Sequence, residues 1–411
     1  MYLHKTIIII GGGHAGFQMA SSLRQDGFQG RLIIFDKQSL YPYQRPPLSK
    51  SYLLGEIELE KLYFRNKDFY KINNIEIIFE EITTILKEKK AILYNNQIIY
   101  YDELVLALGA IPKQIEILNS QNKNVCYISD LKSTLHLKKI LDISSNIAII
   151  GGGFIGLEFA SVARKLGKNV DVIVKDKKLM NRSTSHNISN IIENQHLKNG
   201  IKFHFESKIK EINISTLTSS ELIFASGKKL KFDLLVIGIG SVANDTLASN
   251  SGLATDQGVL VDEYLCSSEP HIYAIGDCAK ILSTFNIYNR LESVQNAVDQ
   301  AKYLSSILTG KNFGKYDSIP WFWSDQSNMK IQIVGIVNQE NYCILQGTSI
   351  NSGYINYSFD SYNKLVSVET INSIVTHMAA RKLFTNYKDN LPDLDELNKY
   401  SFNLVELVKS R

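Results

Sequence analysis

The chain lacks features that mark several classes of protein. Its four cysteines are Cys126, Cys266, Cys278 and Cys343, and they form no C-x-x-C pair. The chain therefore cannot pass electrons through a C-x-x-C dithiol, as many flavin disulfide reductases do. No apolar run approaches the ~18 residues of a membrane span, and the apolar start is too short for a signal peptide. A net charge of +4 with scattered basic residues indicates no nucleic-acid surface. We therefore expect a cytoplasmic protein with no membrane span and no nucleic-acid partner, and we expect no metal site.

What remains is the composition of an ordinary soluble enzyme. The hydrophobic fraction is 44% and the charged fraction is 21%, which excludes disordered and fibrous classes. A length of 411 residues predicts two or three domains, because one hydrophobic core rarely grows so large.

Two segments share a pattern of a β-branched run, then glycines, then an apolar-periodic helix. They are KTIIIIGGGHAGFQMASSLRQDG near the start and NIAIIGGGFIGLEFASVARKLGKNVDVIV from Asn146. Both fit G-x-G-x-x-G, in which the glycines permit a tight turn, close backbone approach to a pyrophosphate, and helix packing on the strand. Two copies in this context predict two dinucleotide-binding units. The glycines are Gly11, Gly13 and Gly16 in the first copy, and Gly151, Gly153 and Gly156 in the second.

An acidic residue at the end of the next strand normally binds a ribose hydroxyl. The first unit has Asp36 about 20 residues after its last glycine, as the motif requires. The second unit has Val174 and Lys175 there, with Asp176 one step further on. Two interpretations stay open: the base accommodates the 2′-phosphate of NADP, or Asp176 binds the ribose after a slight shift of the strand end.

The stretch YPYQRPPLSK at 41–50 contains three of the chain's seven prolines. Proline fixes φ and removes a donor, so the stretch is expected to be a rigid loop rather than an interior helix or a central strand. From Pro320 onward, short strands followed by a helix through SIVTHMAARKLF indicate a separate α+β domain.

With these motifs the chain resembles the single-chain, FAD-containing NAD(P)H-dependent ferredoxin reductases of oxygenase systems, of the putidaredoxin reductase type. The resemblance runs end to end through YQRPPLSK, YDELVLALGA, VIGIG, IYAIGD, RLES and PWFWSDQ. Apoptosis-inducing factor is similar in architecture but more distant. The resemblance implies an α/β fold with two Rossmann-like domains of the glutathione-reductase type and a C-terminal α+β domain. The expected boundaries are 1–113 with 242–320 for FAD, 114–241 for NAD(P), and 321–411.

The resemblance also implies the site residues. Lys50 and Glu158 are expected to pair near the flavin and to act in catalysis by orienting the nicotinamide, and Trp323 is expected on the side that ferredoxin approaches. The residues expected to bind FAD are Gly11, Gly13, His14, Ala15, Gly16, Asp36, Lys37, Arg45, Lys50, Ile82, Ala107, Gly109, Asp277, Glu292, Val294 and Trp323. Those expected to bind NAD(P) are Gly151, Gly153, Phe154, Ile155, Gly156, Glu158, Val174, Lys175, Gly238, Ile239 and Gly240.

The activity implied by the resemblance is hydride transfer from NADH or NADPH to FAD and single-electron transfer to a [2Fe–2S] ferredoxin that serves an oxygenase. The protein is expected to be a monomer or a weak homodimer. The alternatives are a rubredoxin, nitrite or quinone reductase with the same flavin half, or a redox-sensing protein like apoptosis-inducing factor.

Overall fold

The structure is a computed structural model that describes residues 5–115, 123–214, 220–282 and 288–411. The α-helices are α1 (His14–Gln25), α2 (Lys67–Ile72), α3 (Leu131–Ile143), α4 (Phe154–Lys165), α5 (His186–Lys198), α6 (Thr246–Asn250), α7 (Val294–Leu308), α8 (Ile374–Asn386), α9 (Leu394–Lys399) and α10 (Leu404–Ser410). The strands of the first half are β1 (Thr6–Ile10), β2 (Arg31–Phe35), β3 (Ile75–Ile78), β4 (Thr84–Leu86), β5 (Ala91–Tyr94), β6 (Gln97–Tyr100), β7 (Glu103–Leu106), β8 (Ala110–Pro112), β9 (Val125–Tyr127), β10 (Asn146–Ile150), β11 (Asn169–Ile173), β12 (Lys202–His204) and β13 (Ile209–Asn213). Those of the second half are β14 (Ser220–Phe224), β15 (Lys229–Phe232), β16 (Leu234–Ile237), β17 (Ser241–Ala243), β18 (Val259–Val261), β19 (Ile272–Ala274), β20 (Ala279–Leu282), β21 (Tyr288–Asn289), β22 (Trp321–Gln326), β23 (Met329–Gly335), β24 (Tyr342–Ser349), β25 (Gly353–Phe359) and β26 (Leu365–Ile371).

The chain forms two compact units. Unit 1 comprises residues 1–45, 57–111 and 241–318, and unit 2 comprises residues 46–56, 112–240 and 319–411. The segments expected to form separate NAD(P) and C-terminal domains, 114–241 and 321–411, fall within unit 2, and the division into three domains stays a prediction. Residues 46–56, which interrupt the first half of unit 1, belong to unit 2.

Unit 1 is built on a parallel sheet with strand order β19-β7-β1-β2-β3. Four consecutive isoleucines of β1, from Ile7 to Ile10, are buried, as expected for a central parallel strand with both faces covered. The helices α1 and α7 pack against each other in this unit. This is the doubly wound arrangement in which ligands bind at the carboxyl ends of the strands.

Unit 2 contains a second parallel sheet, with order β12-β11-β10-β16-β9, and an antiparallel sheet with order β22-β23-β26-β25-β24. One buried cluster includes Leu53 from segment 46–56, Leu157 from α4, and Ile331 from β23. The helices α8 and α10 pack against each other, and α8 also lies on the antiparallel sheet. The α/β fold with a C-terminal α+β domain is therefore confirmed.

The proline-rich stretch forms a single 3₁₀ turn at Pro46–Ser49. Proline is tolerated at the start of a helix, where its missing N–H would have no partner, so the turn begins at the prolines themselves. None of the helices in the described ranges is long and apolar enough to cross a membrane.

Candidate nucleotide sites and a buried lysine–glutamate pair

The first glycine loop of unit 1 leaves no room for side chains at two positions. A Cβ on Gly11, which has φ +110°, would lie 2.2 Å from the carbonyl oxygen of Ala107. A Cβ on Gly16 would lie 1.8 Å from the carbonyl oxygen of Gly11. The first and third glycines of the motif therefore serve the turn between β1 and α1 and the packing of the helix on it.

The middle glycine of this loop faces open space. A Cβ on Gly13 would meet no atom within 4 Å, and Gly13 caps α1 without a side-chain hydrogen bond. His14 and Ala15 follow in the first turn, where backbone N–H groups have no partner within the helix. Burial, reinforced by the charge of Arg45, lowers the pKa of His14 to about 4, so this histidine is neutral near pH 7. Open space before an uncapped helix start fits a pyrophosphate.

Asp36 lies directly after β2 and contacts the same loop. Its Oδ2 accepts a hydrogen bond from the Gly12 N–H at 2.7 Å, and its Oδ1 accepts one from the Gln38 N–H at 2.8 Å. A carboxylate has about four lone-pair sites, so it can still accept hydrogen bonds from ribose hydroxyls. The neighbouring Lys37 is exposed and forms an ion pair with Glu81 at 3.0 Å.

A cluster of charged residues follows β19, the edge strand of the parallel sheet in unit 1. Asp277 is partly buried, and burial and the Glu292 carboxylate raise its pKa to about 7, against the opposing charges of Arg45 and Arg290. Arg290 donates to the Asp277 carbonyl at 3.0 Å and forms an ion pair with Glu292 at 2.5 Å. Near neutral pH, Asp277 can both donate and accept hydrogen bonds, which suits a chain of hydroxyl groups.

The remaining predicted FAD residues of unit 1 lie in its core, at a helix start and in a turn. Val294 is the first residue of α7, whose amino terminus is capped by the Ser293 side chain. Ile82 and Ala107 are buried in the core of unit 1. Gly109 has φ +69°, and its carbonyl accepts from the Asn244 N–H at 3.0 Å.

The second glycine loop, in unit 2, repeats the geometry of the first. A Cβ on Gly151, which has φ +115°, would lie 2.2 Å from the carbonyl oxygen of Gly238. A Cβ on Gly156 would lie 2.4 Å from the carbonyl oxygen of Gly151, whereas a Cβ on Gly153 would meet nothing within 4 Å. Unit 2 therefore has a second loop suited to a pyrophosphate at the start of α4.

The residues that flank this loop differ in exposure. Phe154 opens α4, and its ring packs on Phe322 with centroids 4.3 Å apart. Ile155 is 50% exposed, which is unusual for isoleucine beside a buried sheet. Ile239 and Gly240 follow β16, and Gly240 has φ +105° while its carbonyl accepts from the Lys113 N–H at 3.0 Å.

Lys50 and Glu158 form the ion pair that the resemblance implies. Lys50 Nζ lies 2.7 Å from Glu158 Oε2, and the side chains are 20% and 5% exposed. Ser49 Oγ donates to the same oxygen at 2.7 Å, and Ser324 Oγ donates to Oε1 at 2.6 Å. Both carboxylate oxygens are thus hydrogen-bonded, which is the condition under which a buried charge is tolerated.

Sequence reasoning missed the polar residues that continue from this pair. Gln326 Nε2 donates to Ser324 Oγ at 3.1 Å, and Gln326 Oε1 lies 2.9 Å from Nε2 of the buried His196. The alternation of side chains along β22 predicts part of this hydrogen-bonded set, because it places Ser324 and Gln326 on the same face of the strand. No local pattern indicates that this face meets Glu158, which is 166 positions away from Ser324.

Both tryptophans lie on β22. Trp323 is partly buried, and its ring centroid is 5.6 Å from that of Trp321. Arg381 lies over the Trp321 ring at 3.9 Å, and the edge of His377 packs on it at 5.5 Å. Burial and the charges of Arg381 and Lys330 lower the pKa of His377 to about 4.

The donor set of unit 1 fits FAD. The space over Gly13 suits a pyrophosphate, and the carboxylate of Asp36 suits a ribose. The partly buried Asp277 suits a chain of hydroxyl groups. Unit 2 has a pyrophosphate loop of the same geometry, and Glu158 of the Lys50–Glu158 pair lies on the helix that starts at this loop.

Comparison with known proteins finds relatives along nearly the whole chain. Residues 5–301 match the family described as pyridine nucleotide-disulphide oxidoreductase, and residues 321–408 match the family described as reductase C-terminal. Rhodocoxin reductase of Rhodococcus erythropolis is 35% identical over 392 residues, which cover 94% of this chain and 91% of the relative.

Two solved structures are similar over almost their full lengths. A ferredoxin reductase for the CYP199A2 system from Rhodopseudomonas palustris has a TM-score of 0.93 and 35% identity, covering 98% of this chain and 100% of that one. The covalent putidaredoxin reductase–putidaredoxin complex has a TM-score of 0.92 and 29% identity, covering 99% of each chain.

Proposed function

The chain belongs to the pyridine nucleotide-disulphide oxidoreductase family, and from this premise we propose that it is an FAD-containing, NAD(P)H-dependent ferredoxin reductase that serves an oxygenase. The observation that carries the proposal is the pair of glycine loops with one geometry, each with open space over its middle glycine. The names of its relatives, which are reductases of rhodocoxin and other ferredoxin-type proteins, support the same acceptor class. We propose that the acceptor is a [2Fe–2S] ferredoxin.

FAD, when bound, would supply a group that accepts one hydride, with its two electrons, from a nicotinamide and releases these electrons one at a time. The chain supplies binding and orientation. The uncapped start of α1 and Asp36 hold the adenosine diphosphate half, and Asp277 accepts and donates hydrogen bonds along the ribityl chain. The space above Gly153 holds the pyrophosphate of NAD(P)H at the start of α4.

The Lys50–Glu158 pair is proposed to orient the nicotinamide. Because Ser49 and Ser324 also donate to Glu158, the carboxylate is fixed in one rotamer, and the Lys50 ammonium is held at a fixed position in turn. A fixed cation and carboxylate can orient a planar amide without forming a covalent bond to it. Trp323, partly buried on β22, is proposed to lie on the side of the protein from which ferredoxin approaches.

Two further assignments belong to this proposal. The protein is proposed to be cytoplasmic, because its four cysteines are all free thiols, as expected in a reducing compartment. The protein is proposed to act as a monomer or a weak homodimer.

The test is anaerobic reduction of the purified holoenzyme by NADH and NADPH side by side, followed by a [2Fe–2S] ferredoxin, a rubredoxin and a quinone as competing acceptors. The expected result is bleaching of the flavin by at least one nucleotide and fastest turnover with the ferredoxin. Absence of FAD, or a flavin that neither nucleotide bleaches, would refute the proposal. Slow turnover with a long-lived charge-transfer complex and a change of oligomeric state would instead indicate a redox sensor.

A further inference from the structure

We propose that the second nucleotide site of this chain selects NADPH over NADH, with Lys175 binding the 2′-phosphate of the adenosine. The inference rests on the proposed function, because it names the electron donor of that reaction. Three features of unit 2 support it: the residue that replaces the ribose-binding acid, the register of the strand before it, and the charges of the loop after it.

The first glycine loop of the same chain provides an internal reference. In unit 1, Oδ2 of Asp36 lies 2.7 Å from the backbone nitrogen of Gly12, the second residue of the loop. In unit 2, the second residue is Gly152, and the atoms that face it are methyl groups of Leu179 and Val174, 3.0 Å and 3.1 Å from where its Cβ would be. Val174 is 3% exposed. An apolar, buried side chain therefore occupies the place of the carboxylate.

Strand register argues against a shift that would bring Asp176 into that place. In unit 1 the last residues of β1 and β2 are register partners, and Asp36 follows directly. In unit 2 the last residues of β10 and β11 are likewise partners, and Val174 follows directly. Asp176 is two residues further along, where it is exposed and its carbonyl accepts from the Glu206 N–H. The position that rejects a 2′-phosphate in NAD-specific sites thus carries no charge here.

The loop after Val174 returns to the same glycine. The Met180 N–H donates to the Gly152 carbonyl at 2.9 Å, and Leu179 packs on Gly152 beside Val174. Both ends of the loop are therefore fixed beside the pyrophosphate site. The residues between them are presented from a short, anchored segment rather than from a free one.

The charges on this loop are mainly positive. Lys175, Lys177, Lys178 and Arg182 are the cations of residues 174–183, against Asp176 as the acid. Lys177 lies 3.9 Å from Glu206 and Lys178 donates to Asn190, whereas exposed Lys175 makes no hydrogen bond or ion pair with the residues that the structure describes.

An unpaired lysine next to an uncharged strand end favours a phosphate over a hydroxyl. A phosphate accepts a charge-assisted hydrogen bond from an ammonium group, and no neighbouring carboxylate at position 174 repels it. For the 2′-hydroxyl of NADH, the same position offers neither a carboxylate acceptor nor a counter-charge. One charge-assisted hydrogen bond predicts a preference of roughly tenfold or more for the phosphorylated nucleotide.

Binding of adenosine fragments to the FAD-loaded holoenzyme, measured by calorimetry, tests the inference without catalysis. The FAD site is filled in this form, so adenosine 2′,5′-bisphosphate and adenosine 5′-monophosphate report on the second site. The bisphosphate should bind roughly tenfold or more tightly than the monophosphate. Lys175→Glu should remove the difference, and Val174→Glu should reverse it. Lys198→Ala is the matched control. This exposed lysine ends α5 just before β12 begins, so it lies toward the amino ends of the parallel strands, whereas Lys175 follows the carboxyl end of β11.

Anaerobic flavin reduction by NADPH and NADH gives the second readout. The inference is overturned if wild-type protein binds both fragments equally, if NADH reduces the flavin more efficiently, or if Lys175→Glu leaves the preference unchanged. Lys175 is exposed, so that variant remains informative even if Val174→Glu does not fold. These results leave the proposed function standing, whereas failure of both nucleotides to reduce the flavin refutes the proposed function itself.

Discussion

Replacing Lys50 by methionine should destabilise unit 2 more than replacing its partner does. In Lys50→Met the apolar stem is kept, but the 5% exposed carboxylate of Glu158 loses its only ion-pair partner among the described residues. Breaking a buried pair on one side costs about 3–5 kcal/mol. Ser49 and Ser324 still donate to Glu158, so we expect the lower end, about 3 kcal/mol.

The opposite replacement leaves a smaller defect. In Glu158→Gln the amide oxygen can accept from one serine, and the other serine hydroxyl can accept from the amide N–H, since hydroxyl groups act in both roles. Lys50 is 20% exposed and can regain part of its hydration. We expect a loss of about 1 kcal/mol. The double variant Lys50→Met with Glu158→Gln contains no uncompensated charge, so it should be about 2 kcal/mol more stable than Lys50→Met alone.

Urea unfolding followed by tryptophan fluorescence measures the free energy of unfolding of unit 2, because the chain's two tryptophans both lie on β22 of that unit. FAD concentration is held constant, since bound ligand stabilises the folded state. The control is Lys165→Met. Lys165 forms an equally short pair, 2.7 Å, with Glu56, but both side chains are about half exposed, so the loss should stay below about 1 kcal/mol.

The reasoning fails if the double variant is less stable than Lys50→Met, or if Lys165→Met costs as much as Lys50→Met. Either result would mean that the burial of Glu158 does not set the energy of the pair. The same Lys50→Met protein should show slower flavin reduction by NAD(P)H with little change in FAD content. Equal losses of both would indicate that Lys50 has only a structural role.

Three further predictions concern the first glycine loop, the hydroxyl on Glu158 and the pH dependence of unit 2. Gly13→Ala should fold normally, because its Cβ meets no atom, yet retain less FAD by absorbance, whereas Gly16→Ala should fail to fold because its Cβ overlaps a backbone carbonyl. Ser324→Ala should cost about 1–3 kcal/mol in urea unfolding by leaving Glu158 Oε1 without a donor, and Ser324→Thr should restore most of it. Because the folded protein keeps the pKa of His377 near 4 while the unfolded chain protonates near 6.5, the contribution of His377 to stability should fall by up to about 3 kcal/mol as pH drops from 6.5 to 4. His377→Phe should remove that contribution, so a stability difference between variant and wild type that does not change over this pH range would exclude it.

The sequence predicted the parts of the fold that have a local signature. The isoleucine run of β1, the glycine spacing after it and the helical periodicity of α1 all lie within a few residues of one another. The short strands after Pro320 and the helix α8 were likewise predicted from short segments. Such patterns identify elements reliably because each depends only on neighbouring side chains.

Contacts between distant segments were predicted only by resemblance or not at all. The Lys50–Glu158 pair came from the family pattern, and the hydroxyl groups of Ser49 and Ser324 on the same carboxylate were not anticipated. The end of β11 also needed the structure, because the register shows that Val174 follows its last paired residue and that Asp176 is two residues further on. Hydrogen bonds and register of this kind are set by tertiary packing, which leaves no periodic trace in the sequence.

The division of the chain into interleaved pieces constrains how the protein can be synthesised and cut. The chain passes from one unit to the other five times, after Arg45, Glu56, Ile111, Gly240 and Ser318. No contiguous fragment therefore consists of one unit alone.

On the ribosome, β7 must wait for β19, its second neighbour in the sheet, which is made roughly tens of seconds after β7. During that interval the free edge of β7 can pair with other chains. Production of this protein is therefore expected to depend on chaperones, and expression of isolated halves is expected to give aggregates.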